Sequence, residues 1–537
     1  MEPAADPTRS GDVTIPALVR RAARTWPAAE ALVDDEGSVR VSFAGLEERM
    51  VTSTRAAIAA GLEPGDRAAI WAPNLHEWMV AALGVLGAGG VLVPINTRFK
   101  GAEAAYVLGK SGARVLFTVT GFLDTDYVAL LRAADADLPA LDRTVVLRGD
   151  DPEGTVSFDA YLAAGGEVDA ATAAGRIDAV APDDLSDLIF TSGTTGQPKG
   201  VMTTHGQSVR VYEAWTDVIG LRAGDRYLIV NPFFHTFGYK AGWMSCVLRG
   251  ATIVPCSIFD VPKVLEMVAA EHISVLPGPP TLLQSILDFP ERDAFDLSSL
   301  RLTVTGAAAV PVRLIERLRD EMTFETIITG YGLTESTGTT AMCRHDDDPE
   351  TIARWSGKAI PDTELRVVDD DGAEVPVGEP GEVVTRGYHV MQGYYDEPSE
   401  TSATIDADGW LHTGDIGVMD ERGYVRITDR KKDMFIVGGF NAYPAEIENL
   451  LLGNDALAQV AVIGVPDERL GEVAAAYVVP RPGATVSAEA VVAWAREHLA
   501  NYKVPRRVEV VDELPMNASG KVLKYVLRER AARDAHD

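Results

Sequence analysis

The chemistry most directly readable in this 537-residue chain lies in one string: Thr191-Ser192-Gly193-Thr194-Thr195-Gly196-Gln197-Pro198-Lys199-Gly200. It follows the apolar Leu188-Ile189-Phe190 and runs into the apolar Val201-Met202. Glycines let successive backbone N–H groups curl around an anion, hydroxyls add donors, and Lys199 supplies a point charge, a set suited to a polyphosphate. The spacing is not that of a Walker loop, because the lysine is followed by glycine rather than Ser or Thr. A mobile surface turn would explain glycine and threonine here, but not the whole string.

Four more strings follow in order. Thr329-Gly330-Tyr331-Gly332-Leu333-Thr334-Glu335 sets a carboxylate near hydroxyls and an aromatic ring, a reasonable provision for magnesium beside phosphates. Read alone, it is equally a Thr and Glu capping a helix start. Asp408-Gly409-Trp410-Leu411-His412-Thr413-Gly414-Asp415 and Thr428-Asp429-Arg430-Lys431-Lys432-Asp433 are, alone, ordinary charged turns. Leu514-Pro515-Met516-Asn517-Ala518-Ser519-Gly520-Lys521 is, alone, a solvated loop.

Together, and in this order, the strings resemble the adenylate-forming superfamily: acyl- and aryl-CoA synthetases, luciferases and the adenylation domains of peptide synthetases. The resemblance runs from about Thr14 to the C-terminus. It implies that Thr191, Ser192, Gly193, Thr194, Thr195, Gly196 and Lys199 hold the phosphates of ATP. Tyr331 would stack on adenine, with Thr329, Gly330 and Gly332 beside it. Thr334 would hold the α-phosphate, and Thr191 and Glu335 would serve Mg2+. Asp415 would accept hydrogen bonds from the ribose, with Arg430 near ribose and phosphate. Lys521 would bridge the attacking carboxylate and the α-phosphate, where a cation stabilises the developing charge. One departure is Lys524, where the family often has arginine, which puts a bidentate contact there in doubt.

The implied reaction has two steps. A carboxylate and ATP give an acyl-adenylate and pyrophosphate, and the thiol of coenzyme A then displaces AMP. Lys521 is needed in the first step and in the way during the second, so a small domain is expected to rotate about Lys432. Val437-Gly438-Gly439-Phe440-Asn441 would then line the pantetheine tunnel, with Gly439 permitting close approach.

The acyl pocket is expected around Asn231-Pro232-Phe233-Phe234-His235-Thr236-Phe237-Gly238-Tyr239-Lys240, with His235 at its mouth and Gly306-Ala307-Ala308 as a small-residue wall. The string has no acidic residue to capture an α-ammonium group, which argues against an amino acid. A plain aromatic core is the other reading of this cluster. Gly238-Tyr239-Lys240-Ala241-Gly242-Trp243, Phe259-Asp260-Val261 and Gly278-Pro279-Pro280-Thr281 are similar to actinobacterial ligases for the bicyclic indane-dione propanoate left by steroid A/B-ring breakdown. Lys240 or Tyr239 could meet a ring ketone there. A medium-chain fatty acid or an arylpropanoate stays open as the alternative, as do a stand-alone adenylating enzyme for another acceptor, a peptide-synthetase module, a luciferase-like oxygenase and a non-catalytic homologue. The chain ends soon after Lys521, which speaks against a carrier domain.

Elements must position these residues. Through residue 430, helical stretches such as Trp78 to Gly87 alternate with short β-branched runs such as Val91-Leu92-Val93, which predicts layered α/β sheets with largely parallel strands. Gly84, Gly87, Gly89 and Gly90 follow a helix and precede a strand, the reverse of a dinucleotide fingerprint, and read as packing and turn glycines. After residue 360 short strands and turns, including Asp369-Asp370-Asp371-Gly372, suggest hairpins and a small β-barrel-like part. Leu162 to Ala174, rich in Ala and Gly, reads as a surface connection. The expected class is mixed α/β and α+β: a large N-terminal domain, 1–430, and a small mobile α+β domain, 431–537.

A net charge of −30 disfavours nucleic acid and anionic membrane as partners, so polyphosphate must be held locally. Cys246, Cys256 and Cys343 lack zinc spacing and suit a reduced compartment. The first residues are polar and acidic, and no run approaches the roughly 18 apolar residues of a membrane span. A cytoplasmic enzyme using a small carboxylic acid, ATP and CoA is expected, with a homodimer left open.

Overall fold

The computed structural model describes residues 13–34, 37–191, 198–306, 310–430, 433–437, 440–467, 469–499, 501–516 and 522–534, with only the backbone of 429, 430, 440, 441 and 534. Two compact units divide it: Met1–Glu364 with Thr385–Leu411, and Leu365–Val384 with His412–Asp537.

The first unit is built on an eight-stranded sheet in the order Gly393–Tyr394, Lys199–Thr204, Leu185–Thr191, Val91–Pro94, Arg67–Trp71, Val115–Val119, Arg143–Arg148 and Val156–Ser157. From Leu185–Thr191 onward every neighbour is parallel, and the first two pairings are antiparallel. Val91–Pro94 and Val115–Val119 are buried at every position. Such continuous apolar runs are what a parallel sheet covered on both faces requires. Four-stranded arrays add Arg226–Ile229, Thr252–Pro255, Glu30–Asp34 and Val39–Ser42, then Leu302–Gly306, Thr326–Tyr331, Ala341–Met342 and Lys358–Ala359.

Helix His76–Gly87 precedes strand Val91–Pro94, as its pattern predicts. Its glycines are packing glycines: a Cβ at Gly84 would lie 2.0 Å from Ser53 Oγ, and one at Gly87 2.2 Å from Thr54 Oγ1. Leu162 to Ala174 differs from expectation. It contains the end of helix Phe158–Ala164, a 3-10 turn Gly165–Glu167 and the start of helix Ala170–Ala179. Most of its small residues are exposed, but Gly165 and Ala173 are buried, and a Cβ at Gly165 would meet the Ala56 amide nitrogen at 2.6 Å.

The second unit holds a four-stranded sheet, Glu364–Val368, Gly381–Arg386, Leu411–Met419 and Val425–Arg430, formed by the segments expected to be barrel-like. Asp369 Oδ1 accepts hydrogen bonds from the amides of Asp371 and Ala373, which makes the aspartate run a turn. A five-stranded sheet follows, in which Gly471–Pro480 lies between Leu457–Asp467 and both Phe435–Val437 and Arg507–Val510. Helices Pro444–Leu451, Ala488–His498 and Lys524–Asp534 accompany it. Its core joins Ile447, Leu451, Val462, Tyr477 and Leu527. All three cysteines are free and buried. No helix among the described residues is long and apolar enough to cross a membrane.

Candidate active site

The phosphate-type string becomes a hairpin. Strands Leu185–Thr191 and Lys199–Thr204 pair antiparallel, with Thr191 opposite Lys199. Ser192, Gly193, Thr194, Thr195, Gly196 and Gln197 lie outside the described residues. Tyr106 Oη donates to the carbonyl of Pro198 at 3.2 Å, fixing the return of the loop.

Lys199 meets two residues that the motifs leave out. Its ammonium ion-pairs with Glu400, on the short helix Pro398–Thr404, and sits 5.2 Å from the centre of the Tyr394 ring. The Tyr394 hydroxyl donates to Glu335 Oε1 at 2.9 Å. Tyr394 therefore links the cation expected on phosphate to the carboxylate expected on magnesium. Its strand pairs with the phosphate hairpin through Val201, and its amide donates to Thr401 Oγ1 at 2.9 Å. Burial, reinforced by the Glu335 carboxylate, pushes the phenol well above its ordinary pKa, so it stays a donor.

Glu335 lies in the 3-10 turn Thr334–Ser336, after strand Thr326–Tyr331. Its carbonyl accepts from the Met391 amide at 2.9 Å, tying that turn to the segment before Tyr394. Gly332 is required by space, since a Cβ there would meet the Gly338 carbonyl at 2.3 Å. Gly306 and Gly330 are register partners on adjacent parallel strands. Ala307 and Ala308 lie outside the described residues. Thr329 is buried, and its hydroxyl donates to the carbonyl of Ile352 at 2.7 Å, so that hydroxyl braces the frame.

The acyl string divides. Phe233, Tyr239, Trp243 and Met244 are buried core, with the Trp78 ring 5.4 Å from Phe233 and Tyr239 stacked 5.0 Å from Trp243. His235 is half-buried and caps its helix, its Nδ1 accepting from the Phe237 amide at 3.2 Å. Burial lowers its pKa, which favours the neutral ring. Asn74 clamps the turn, accepting from the Phe233 amide at 2.7 Å and donating to the carbonyls of Ile229 and Asn231.

Lys240 does not face a ring ketone. It is fully buried, its Nζ 2.9 Å from Asp187 Oδ1 and 2.8 Å from Thr203 Oγ1, with Thr203 and Ser186 also donating to Asp187. A cation in a core must be paired, and here its polar partners come from the stem of the phosphate hairpin. Tyr239 is likewise buried among Trp78 and Trp243.

In the second unit, Asp415 and Arg430 are partners on adjacent antiparallel strands. The turn before Asp415 is pinned: Thr413 Oγ1 donates to the Val383 carbonyl at 2.6 Å, and the Gly414 amide to Glu382 Oε1 at 3.1 Å. Gly414 has φ +68, a left-handed conformation that favours glycine. Lys432, Gly439 and Lys521 lie outside the described residues, but their flanks are ordered by pairing. Val437 pairs with Phe440, and Met516 bridges to Val522. Lys524 makes a single-point ion pair with Glu448 Oε1 at 2.8 Å, where a guanidinium could have made two.

Sequence reasoning missed Tyr394 and Glu400. Gly393-Tyr394-Tyr395-Asp396-Glu397-Pro398 belongs to none of the five strings, and the pairing of Gly393–Tyr394 onto the hairpin is what brings it to the site.

Comparison with known proteins agrees with this geometry. The AMP-binding enzyme family model matches residues 19–395, and the AMP-binding enzyme C-terminal domain model matches 446–521. The chain is 52% identical over 519 residues, 96% of it and 98% of the relative, to the 3-[(3aS,4S,7aS)-7a-methyl-1,5-dioxo-octahydro-1H-inden-4-yl]propanoyl:CoA ligase of Rhodococcus jostii. It is 49% identical, over 96% of itself and 98% of the relative, to the ligase of the same name from Mycobacterium tuberculosis. Among solved structures it is similar to the anthranilate CoA ligase AuaEII in complex with anthranoyl-AMP, with TM-score 0.89, 28% identity, and coverage of 98% and 99% of the two chains. A hairpin closed by Thr191 and Lys199, a carboxylate at Glu335, and this likeness along almost the whole chain lead to one conclusion: the chain belongs to the AMP-binding, adenylate-forming enzyme family.

Proposed function

We propose that this enzyme, an ATP-dependent acyl-CoA ligase, activates an indane-dione propanoate of the kind left by steroid ring breakdown. The observation that carries the substrate is the likeness, over 96% of the chain, to two ligases named for that acid. A pocket wall without an acidic side chain in the Asn231 to Lys240 string suits an alicyclic acid better than an amino acid.

In the first half-reaction a carboxylate oxygen attacks the α-phosphorus and pyrophosphate leaves. Lys199 holds the departing phosphates, Tyr331 the adenine, Thr334 the α-phosphate, and Asp415 with Arg430 the ribose. Lys521 bridges the two anionic reactants. Thr191 and Glu335 offer a hydroxyl and a carboxylate, an all-oxygen donor set that fits Mg2+, which when bound neutralises phosphate charge. In the second half-reaction the CoA thiol attacks the acyl carbonyl and AMP leaves, with the domain from 431 onward turning about Lys432 to withdraw Lys521 and bring Gly439 to the pantetheine. The working compartment on this reading is the cytoplasm.

The test is mass spectrometry of CoA thioesters formed from a panel of indane-dione propanoate, medium-chain fatty and arylpropanoic acids. The indane thioester should dominate by kcat/KM. If it is absent while a fatty or aryl thioester forms, the substrate assignment falls and the ligase class stands.

A further inference from the structure

We propose that Glu400 is an internal stand-in for the polyphosphate: it holds the Lys199 ammonium in the ATP-free enzyme and cedes it when phosphate arrives. The inference rests on the reading of Lys199 as a phosphate ligand.

Three observations carry it. The pair is asymmetric in exposure, the Lys199 side chain being 19% and the Glu400 side chain 45% exposed. A half-buried ammonium needs a partner at all times, whereas a half-exposed carboxylate can swing into water at small cost. Lys199 is also steadied by the Tyr394 ring, which touches it without neutralising it, so the cation keeps its place when Glu400 leaves. Finally, the neighbouring acid Glu397 is occupied elsewhere, with Lys110 Nζ at 2.7 Å from its Oε1. Two acids three residues apart thus pair with different lysines, and of the two it is Glu400 that contacts the phosphate cation.

The consequence is competitive. Glu400 and the incoming phosphates are both anions seeking one ammonium, and every phosphate contact made there breaks the Glu400 contact. Glu400 therefore weakens ATP binding and, by re-forming its pair, favours the exit of pyrophosphate.

Glu400→Gln keeps the side chain's shape and removes the charge. The affinity for magnesium α,β-methylene-ATP, measured by calorimetry, should tighten about two- to fivefold, the range of a half-exposed ion pair. The inhibition constant of inorganic pyrophosphate should fall by a similar factor. Glu397→Gln, an equal change of net charge on the same segment but without contact to Lys199, should move both much less. Lys199→Met should weaken nucleotide binding, and Glu400→Gln added to it should do nothing further. Unchanged or weaker binding in Glu400→Gln, equal tightening in Glu397→Gln, or tightening that persists without Lys199 would each overturn the proposal while leaving Lys199 its phosphate role. If Lys199→Met leaves nucleotide affinity unchanged, the reading of Lys199 itself fails, and the proposal with it.

Discussion

At the scale of single residues, the side chains that would touch ligand and those that hold them differ in how they can be found. Lys199 and Glu335 stand in strings whose residue types describe a task, but Tyr394, which touches both, is separated from them by 195 and 59 positions, on a two-residue strand whose residue types describe none. With Glu335 as the proposed magnesium ligand, the Tyr394 hydroxyl would act on the ion through that carboxylate. Tyr394→Phe should therefore raise the Mg2+ concentration needed for half-maximal adenylation by about tenfold, the scale of losing an outer-shell partner, while the ring over Lys199 survives. A magnesium titration that superimposes on wild type would remove Tyr394 from that role. Lys521 makes a different prediction, because the reading gives it only the first half-reaction. Lys521→Ala should abolish adenylate formation yet largely spare thioester formation from pre-made adenylate, and equal loss of both in single-turnover assays would sink the assignment. Lys240 shows how a residue type misleads: a lysine in an aromatic string reads as a ligand contact, whereas its fixed partner, Asp187, lies 53 positions away in sequence and 2.9 Å away in space.

Elements turn that buried pair into a strut. Asp187 lies on the strand that ends in Thr191, Thr203 on the strand that begins with Lys199, and Lys240 on the π-helical turn Tyr239–Met244 that follows His235. The stem of the phosphate hairpin and the helix of the acyl string are thereby fastened to each other inside one unit. Lys240→Met leaves the fully buried Asp187 carboxyl without its cation, and should destabilise the unit by about 3–5 kcal/mol, seen as a lowered thermal midpoint. Adding Asp187→Leu should recover part of the loss, since a packed apolar pair needs no solvation. If the double variant is less stable than Lys240→Met, the hydroxyls of Ser186 and Thr203 matter more than the charges. The hairpin itself was legible from its apolar flanks, as were His76–Gly87 and Val91–Pro94, because burial imposes a period along the chain. The helices within Leu162 to Ala174 were not, because its alanines are mostly exposed and give no apolar period, while the burial of Gly165 beside Ala56 is not visible in composition. Strand Arg507–Val510 was also missed, its two exposed ends around two half-buried residues giving no alternation, so that pairing with Gly471–Pro480 is what defines it.

For the molecule as a whole, compactness divides the chain after Glu364, Val384 and Leu411, whereas the family resemblance implies a pivot at Lys432. A unit held together by contacts and a body that moves in a catalytic cycle need not share a boundary, and only the first is set by packing. Stability of the larger unit carries its own marker, two histidines held neutral. Nδ1 of His205 accepts from the Ile15 amide at 3.3 Å while its Nε2 has no partner among the described residues. His389 is also buried, with Nε2 2.8 Å from Thr385 Oγ1. Burial, with Lys240 nearby, lowers the His205 pKa to about 3, and burial alone lowers that of His389 to about 4. Their unfolded values lie near about 6.5. The unfolded chain then binds protons that the folded one refuses, so the stabilisation is complete above pH 6.5 and is lost as pH falls through that value toward 4 and then 3. Between pH 7 and about 5 this loss precedes most carboxylate titration, which begins near the ordinary glutamate value of about 4.3. Urea midpoints should fall across that interval in the wild type and fall less in His205→Asn, whose amide oxygen can still accept from Ile15. A slope equal to wild type in that variant would mean that His205 takes up its proton without unfolding the unit around it.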